Sequence, residues 1–311
     1  MSLSMTLTRG LLRLTPIRTA TPEAMREAVA HRQPPAPVTR GLLKVAHVEE
    51  LTVEGRPVIR LTPKHAPTRT GTGSATSTGT TAGTHLIYTH GGAFVFSILA
   101  THWQLLASII EKTGVSITVP LYGLAPEHQF GEAYHVLDAI YDEAIARYGD
   151  RVFLSGDSAG GALALGQAIR ARDAGKPRAA GIILFSPWVD ATMSNPQVAR
   201  LAPLDTMLGA AGLAEAGRWW AGAAGPKDSL VSPIFAELND LPPVYTYQGD
   251  RDVLLADAKL LTKRIRAAGG QTELRIYRGG IHVFVGAPWT PEARRALRHV
   301  TSVLTAPALS D

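Results

Sequence analysis

Gly156-Asp157-Ser158-Ala159-Gly160-Gly161 joins the short apolar run Val152-Phe153-Leu154 to the alanine-rich stretch Ala162-Leu163-Ala164-Leu165. That order predicts a strand, a sharp turn and a helix. A G-x-S-x-G turn needs glycine on both sides of the serine, because the chain reverses so tightly that a side chain there would collide with a neighbouring element. The serine oxygen is left at a helix N-terminus, where free N–H groups and the helix dipole favour the negative charge that develops when an acyl carbonyl is attacked. The hexapeptide alone is weakly specific, and its surroundings decide.

Around it, strands and helices alternate. Apolar runs at residues 86–88, 115–119, 152–154, 181–185, 244–247 and 273–277 read as strands; residues 101–112, 132–148, 159–172 and 255–268 read as helices. Such alternation predicts an α/β fold with a mainly parallel sheet covered by helices on both faces. Residues 45–53 and 58–61 predict a hairpin turned at Glu54-Gly55-Arg56-Pro57. Thr21-Pro22-Glu23 starts an N-terminal helix that Pro34-Pro35 stops. Residues 67–84 are almost wholly Thr, Gly, Ser and Ala, which predicts a surface loop enlarging a strand connection. Residues 190–225, with Trp219-Trp220, interrupt the alternation and read as a helical insertion, part of a lid. At most one of those tryptophans can face a pocket. The expected organisation is a helical cap from residues 1–40 and about 190–225 on a domain of residues 41–311.

The 311 residues are 45% hydrophobic and 18% charged, a globular composition with enough chain for a sizeable core. No run approaches the roughly 18 apolar residues of a membrane span. Leu11-Leu12-Arg13-Leu14-Thr15-Pro16 is too short and interrupted for a signal-peptide core, so a cytoplasmic protein without stable membrane insertion is expected. With no cysteine, disulfides and thiolate catalysis are excluded. The net charge of +5 is N-terminal: residues 1–65 hold ten Lys or Arg against five Asp or Glu, and the remainder balances at twenty-one each. Arg9, Arg13, Arg18 and Arg26 are isolated and read as solvated residues on a helical arm, so no nucleic-acid partner is expected. Neither a metal-ligand cluster nor a phosphate-binding glycine loop is present, and no cofactor is expected.

A nucleophilic Ser158 needs a base, an acid that orients it, and donors for the oxyanion. His282, in Gly279-Gly280-Ile281-His282, follows the last predicted strand and lies at the sheet edge expected for Ser158. It is the candidate base. Gln248-Gly249-Asp250-Arg251-Asp252 follows the strand before it, completing the chain order Ser, Asp, His. Asp252 is the candidate acid, with Asp250 its rival. Alone, His282 would be a loop-capping residue and Asp252 a helix N-cap; with a serine elbow in the right order the triad is the better reading. His90-Gly91-Gly92-Ala93-Phe94 follows another strand, and its small residues would bring backbone N–H groups to the substrate oxygen, with the Ala159 N–H completing the set. Asp157 reads as a supporting hydrogen-bonding residue, His90 as a loop shaper, and His102-Trp103 as pocket lining or helix packing.

With these residues in place, the chain resembles the bacterial hormone-sensitive-lipase-like esterases (family IV) of the α/β-hydrolase superfamily. The resemblance spans about residues 45–300. It rests on the His90 to Phe94 loop, Tyr122-Gly123-Leu124-Ala125-Pro126-Glu127-His128, the serine elbow, Ser186-Pro187-Trp188-Val189-Asp190 and Gly280-Ile281-His282-Val283-Phe284. It implies an α/β-hydrolase fold with a helical cap and a serine carboxylesterase acting on short- to medium-chain acyl esters through an acyl-enzyme. It favours Asp252 over Asp250, and Gly92, Ala93 and Ala159 as oxyanion donors; Gly91 stays among them because the register could slip by one. The same triad on an arylformamide, lactone or carbamate is the alternative. The expected partner is a small acyl ester, and a homodimer stays open. Three departures stand out: Ala93 where glycine is frequent, Gly123 where arginine is usual, and Gln129 and Gly131 in place of prolines.

Overall fold

The computed structural model describes residues 2–65 and 83–306. Most of the predicted loop at residues 67–84 lies outside them. Eight strands form one sheet: β1 (Ala46–Val53), β2 (Arg56–Pro63), β3 (His85–Thr89), β4 (Ser116–Pro120), β5 (Val152–Asp157), β6 (Gly181–Phe185), β7 (Val244–Gly249) and β8 (Thr272–Tyr277). Their order is β1-β2-β4-β3-β5-β6-β7-β8. The hairpin turns at Glu54 and Gly55, both at positive φ, and β2 also runs antiparallel to β4. All remaining pairs are parallel. Strands β3, β5 and β6 are buried along their whole length, as parallel strands covered on both faces must be.

Helices α5 (Phe130–Tyr148), α6 (Ala159–Asp173) and α9 (Leu255–Ala267) cover one face. On the other lie α1 (Leu3–Leu12), α3 (Arg40–Val45), α4 (Ala100–Thr113) and α10 (Pro291–Thr305), packed around Trp103, Tyr88 and Phe284. Helix α6 is buried nearly all round, which is why its sequence is alanine-rich with no polar stripe. No helix among the described residues is long and apolar enough to cross a membrane.

Helix α2 (Pro22–Ala30) starts where expected, with Thr21 Oγ1 accepting the Ala24 N–H. The insertion contributes α7 (Val198–Leu201) and α8 (Ala210–Ala221), and α2 packs on α8. Arg26 pairs with Glu215 at 2.7 Å, and the Gly209 N–H donates to Thr19 Oγ1 at 2.7 Å. Helix α1 sits elsewhere, against α10: the Ser2 N–H and hydroxyl both donate to Glu292 at 2.7 Å. The N-terminal stretch thus divides between the cap and the helical layer beneath the sheet.

Candidate active site

Parallel strands point their C-terminal ends to one edge, and the loops leaving β3, β5, β6, β7 and β8 meet there. Between β5 and α6, Ser158 holds φ +50° and ψ −121°, a strained backbone for a non-glycine residue. A Cβ on Gly156 would overlap the Gly160 carbonyl, and one on Gly160 would overlap the Thr89 carbonyl, so both flanking glycines are sterically required. The elbow is tied to β6 on both sides: the Ser158 N–H donates to the Phe185 carbonyl and the Trp188 N–H to the Ser158 carbonyl, each at 2.9 Å.

His282 Nδ1 lies 2.9 Å from Asp252 Oδ2, and both side chains are buried. Asp252 Oδ1 accepts the Leu254 N–H at 2.9 Å, so one carboxylate fastens the turn that leads into α9 and holds the imidazole. The Val283 N–H, next after the histidine, donates to Ser186 Oγ at 3.0 Å. The segment from Phe185 to Trp188 therefore grips both the serine elbow and the histidine loop. Ser158 Oγ makes no hydrogen bond among the described residues, to His282 or otherwise; the pair shares an edge without being hydrogen-bonded, as is common before substrate binds. Asp250 is engaged elsewhere, accepting the Gly279 N–H at 2.6 Å as β8 ends.

Burial alone would lower the His282 pKa, yet the charge and hydrogen bond of Asp252, then the charges of Asp205 and Asp157, outweigh it and leave it raised. Asp205 was missed in the sequence, where it is one acid in a helical insertion. Its Oδ2 accepts the Val253 N–H at 2.9 Å and its Oδ1 the N–H groups of Met207 and Leu208 at 2.7 and 3.0 Å. One carboxylate thus fastens the insertion to the loop of Asp252. Burial and the charge of Asp252 push its pKa up to about 6.

Among the described residues, the N–H groups of Gly92, Ala93 and Ala159 have no acceptor within the chain. Gly91 corrects the expectation: its N–H donates to Asp157 Oδ1 at 2.9 Å and so is not free for an oxyanion. Asp157 also accepts from the Tyr88 hydroxyl at 2.5 Å and meets His102 Nε2 at 3.3 Å. Burial opposes its ionisation, but the His102 and Tyr88 contacts overcome that and bring its pKa down to about 2. His102 accepts the Leu99 N–H on Nδ1, which leaves Nε2 to carry the proton given to Asp157. His102 and Trp103 thus serve the loop and the core: Trp103 donates to the Ala36 carbonyl at 2.8 Å. His90 stacks on Tyr122, with ring centroids 4.5 Å apart.

Gly92, Ala93 and Phe94 all hold positive φ, 119°, 53° and 61°. Phe94 stays there because it is stacked on Trp220, centroids 4.7 Å apart, in the cap. Trp220 is fully buried, while Trp219 is partly exposed. The glycine at 123 is explained too: a Cβ there would run into the His128 ring, which is held by Arg56 at 2.8 Å. Among the described residues, no group of three or more His, Asp or Glu is placed to hold a metal ion.

Residues 86–286 match the family described as alpha/beta hydrolase fold. The chain is similar to an esterase of Acinetobacter venetianus, 31% identical over 71% of this chain and 74% of that one. It is also similar to a triacylglycerol lipase of Mycobacterium tuberculosis, 30% identical over 82% of this chain; the match spans only 48% of that lipase. The crystal structure of an esterase from the bacterial hormone-sensitive lipase family superposes with TM-score 0.79 at 26% identity, covering 98% of both chains.

Proposed function

Because this chain belongs to the α/β-hydrolase superfamily and has the fold of the bacterial hormone-sensitive-lipase-like esterases, a carboxylic ester hydrolase of the serine type, we propose that Ser158, His282 and Asp252 are its catalytic triad. The observation that carries the assignment is the buried His282–Asp252 bond at the same sheet edge as the strained Ser158 elbow. In this reading Ser158 Oγ attacks the ester carbonyl while His282 Nε2 takes its proton. The developing oxyanion is held by the N–H groups of Gly92, Ala93 and Ala159, whose donors need no reorganisation. The tetrahedral intermediate collapses as the alkoxide leaves with the proton from His282; water then hydrolyses the acyl-enzyme by the same steps. The cap we propose joins α2 and the segment before it to about residues 190–225, with α2 and α8 as its paired helices; α1 packs on α10 in the catalytic domain, so the expected boundary that gave all of residues 1–40 to the cap is corrected.

The substrate we propose is a short- to medium-chain acyl ester. Ala93 supports the shorter end, since its methyl group stands beside the oxyanion donors. A p-nitrophenyl ester series from acetate to palmitate, run with wild type and Ser158→Ala, tests both parts. The reading expects turnover that falls with chain length and vanishes in the variant. Hydrolysis surviving in Ser158→Ala would contradict the triad, and a maximum at palmitate would contradict the chain length.

A further inference from the structure

Helix α1 presents an apolar stripe to solvent. Leu3, Leu7 and Leu11 recur every four residues and Leu14 follows in the turn beyond, and all four are between 64% and 80% exposed. Its opposite face is anchored by fully buried Met5. Single exposed leucines need no explanation, but three in one helical row with a fourth in the turn that follows do. Trp289 extends the patch: it is 55% exposed, and its indole N–H donates to Thr8 Oγ1 at 3.2 Å. Leu99, 53% exposed, lies in the loop leaving β3. Trp289 and Leu99 both lie in chain segments that leave the C-terminal sheet edge, where Ser158 also sits.

The same layer carries the positive charge of the molecule. Helices α1, α3, α4 and α10, with Arg13 capping α1, contain eight Arg or Lys against two Glu. One of those two, Glu292, is buried against Ser2. Arg13, Arg294, Arg295 and Arg298 are exposed. No carboxylate precedes Glu23 in the chain. Leucines and a tryptophan on one face, flanked by arginines, match the pattern of a helix that lies in the plane of a membrane surface. The acyl region takes the apolar side chains, the indole sits at headgroup level, and the guanidinium groups reach the phosphates. A contact between two copies through this face would instead set Arg9 and Arg13 near their own equivalents, with no acid on the helix to answer them.

We propose that the α1 face, with the arginines of α10, is a docking surface for an anionic lipid–water interface, which it engages peripherally and without insertion of a spanning helix. Docking there would hold the rim of the active-site edge against the lipid. The proposal stands independently of the triad assignment.

Flotation of the full chain with phosphatidylglycerol vesicles and with phosphatidylcholine vesicles tests it. Two exposed double variants accompany wild type, Leu7→Asp/Leu11→Asp and Arg294→Glu/Arg298→Glu, with turnover of soluble p-nitrophenyl acetate as the check that each is folded. Wild type is expected to float with phosphatidylglycerol, far less with phosphatidylcholine, and to be released as salt screens the headgroups. Each variant should lower the bound fraction about tenfold, the leucine pair because two apolar side chains no longer leave water. Absence of flotation with phosphatidylglycerol at low salt, equal flotation with both lipids, or variants that bind as wild type would overturn the proposal. So would a wild-type dimer that Leu7→Asp/Leu11→Asp turns into a monomer, since the face would then belong to a second copy.

Discussion

The raised His282 pKa has a kinetic consequence. A base must be neutral to accept the serine proton, so kcat/KM should rise with pH through a midpoint above the ordinary 6.5 of histidine. Asp205→Asn keeps an oxygen for the Met207 and Leu208 amides and removes one negative charge near the imidazole. The acid limb of its pH profile should move to lower pH, with KM little changed; an unmoved limb would reduce Asp205 to a structural tie. Asp252→Asn should lower kcat on the order of 10³-fold or more, because it misplaces the imidazole proton. Ser158, His282 and Asp252 were legible in the sequence because each follows a recognisable apolar strand in the required order. Asp205 was not, since its partner amide at Val253 is 48 residues away and meets it only through tertiary packing. Gly91 was misread for a similar reason: composition shows that an N–H can approach a substrate, not that Asp157 already uses it.

At the level of elements, the cap joint tests how the two cap segments meet. Gly212 lies inside α8, where alanine would ordinarily stabilise a helix by up to about 1 kcal/mol. Here a Cβ would overlap the Thr19 carbonyl, which also accepts the Gly212 N–H. Gly212→Ala should therefore pry α8 from the segment before α2, lowering Tm and raising KM more than it lowers kcat; a higher Tm would contradict the joint. Most elements were readable as apolar runs with their stop signals, and β6 matches its expected bounds at both ends. The crossing that puts β4 between β2 and β3 was not, because strand order depends on which side each connection crosses and leaves no local trace. Helix α10 was not among the expected helices, and α1 was expected only as part of a helical arm belonging to the cap. Helix α1 turns its leucines to solvent, so its sequence shows no conventional core face.

For the molecule as a whole, the buried carboxylates set opposite trends with pH. Asp157, held down to about 2, adds stability above the ordinary carboxylate pKa that is lost as pH falls towards 2. Asp257 works the other way: burial, with the charge of Asp190, raises it to about 6, and its Oδ2 has no hydrogen-bond partner among the described residues. Between pH 4 and 6 the unfolded chain has released that proton while the folded one keeps it, so stability falls as pH rises through this window. Asp257→Asn should then stabilise the fold by on the order of 2 kcal/mol at pH 8 and by nothing at pH 4, as read from urea unfolding. An equal effect at both values would mean the carboxylate does not titrate as described.

All of this converges on one oxygen. The most direct measurement is the intact mass and peptide map of the protein after reaction with a p-nitrophenyl alkylphosphonate, which transfers its phosphonyl group to an activated serine and releases p-nitrophenolate. The account predicts a single adduct on Ser158 that forms in step with loss of esterase activity, and no adduct on Ser158 in His282→Ala. Labelling at another residue, or full activity in protein labelled at Ser158, would contradict it.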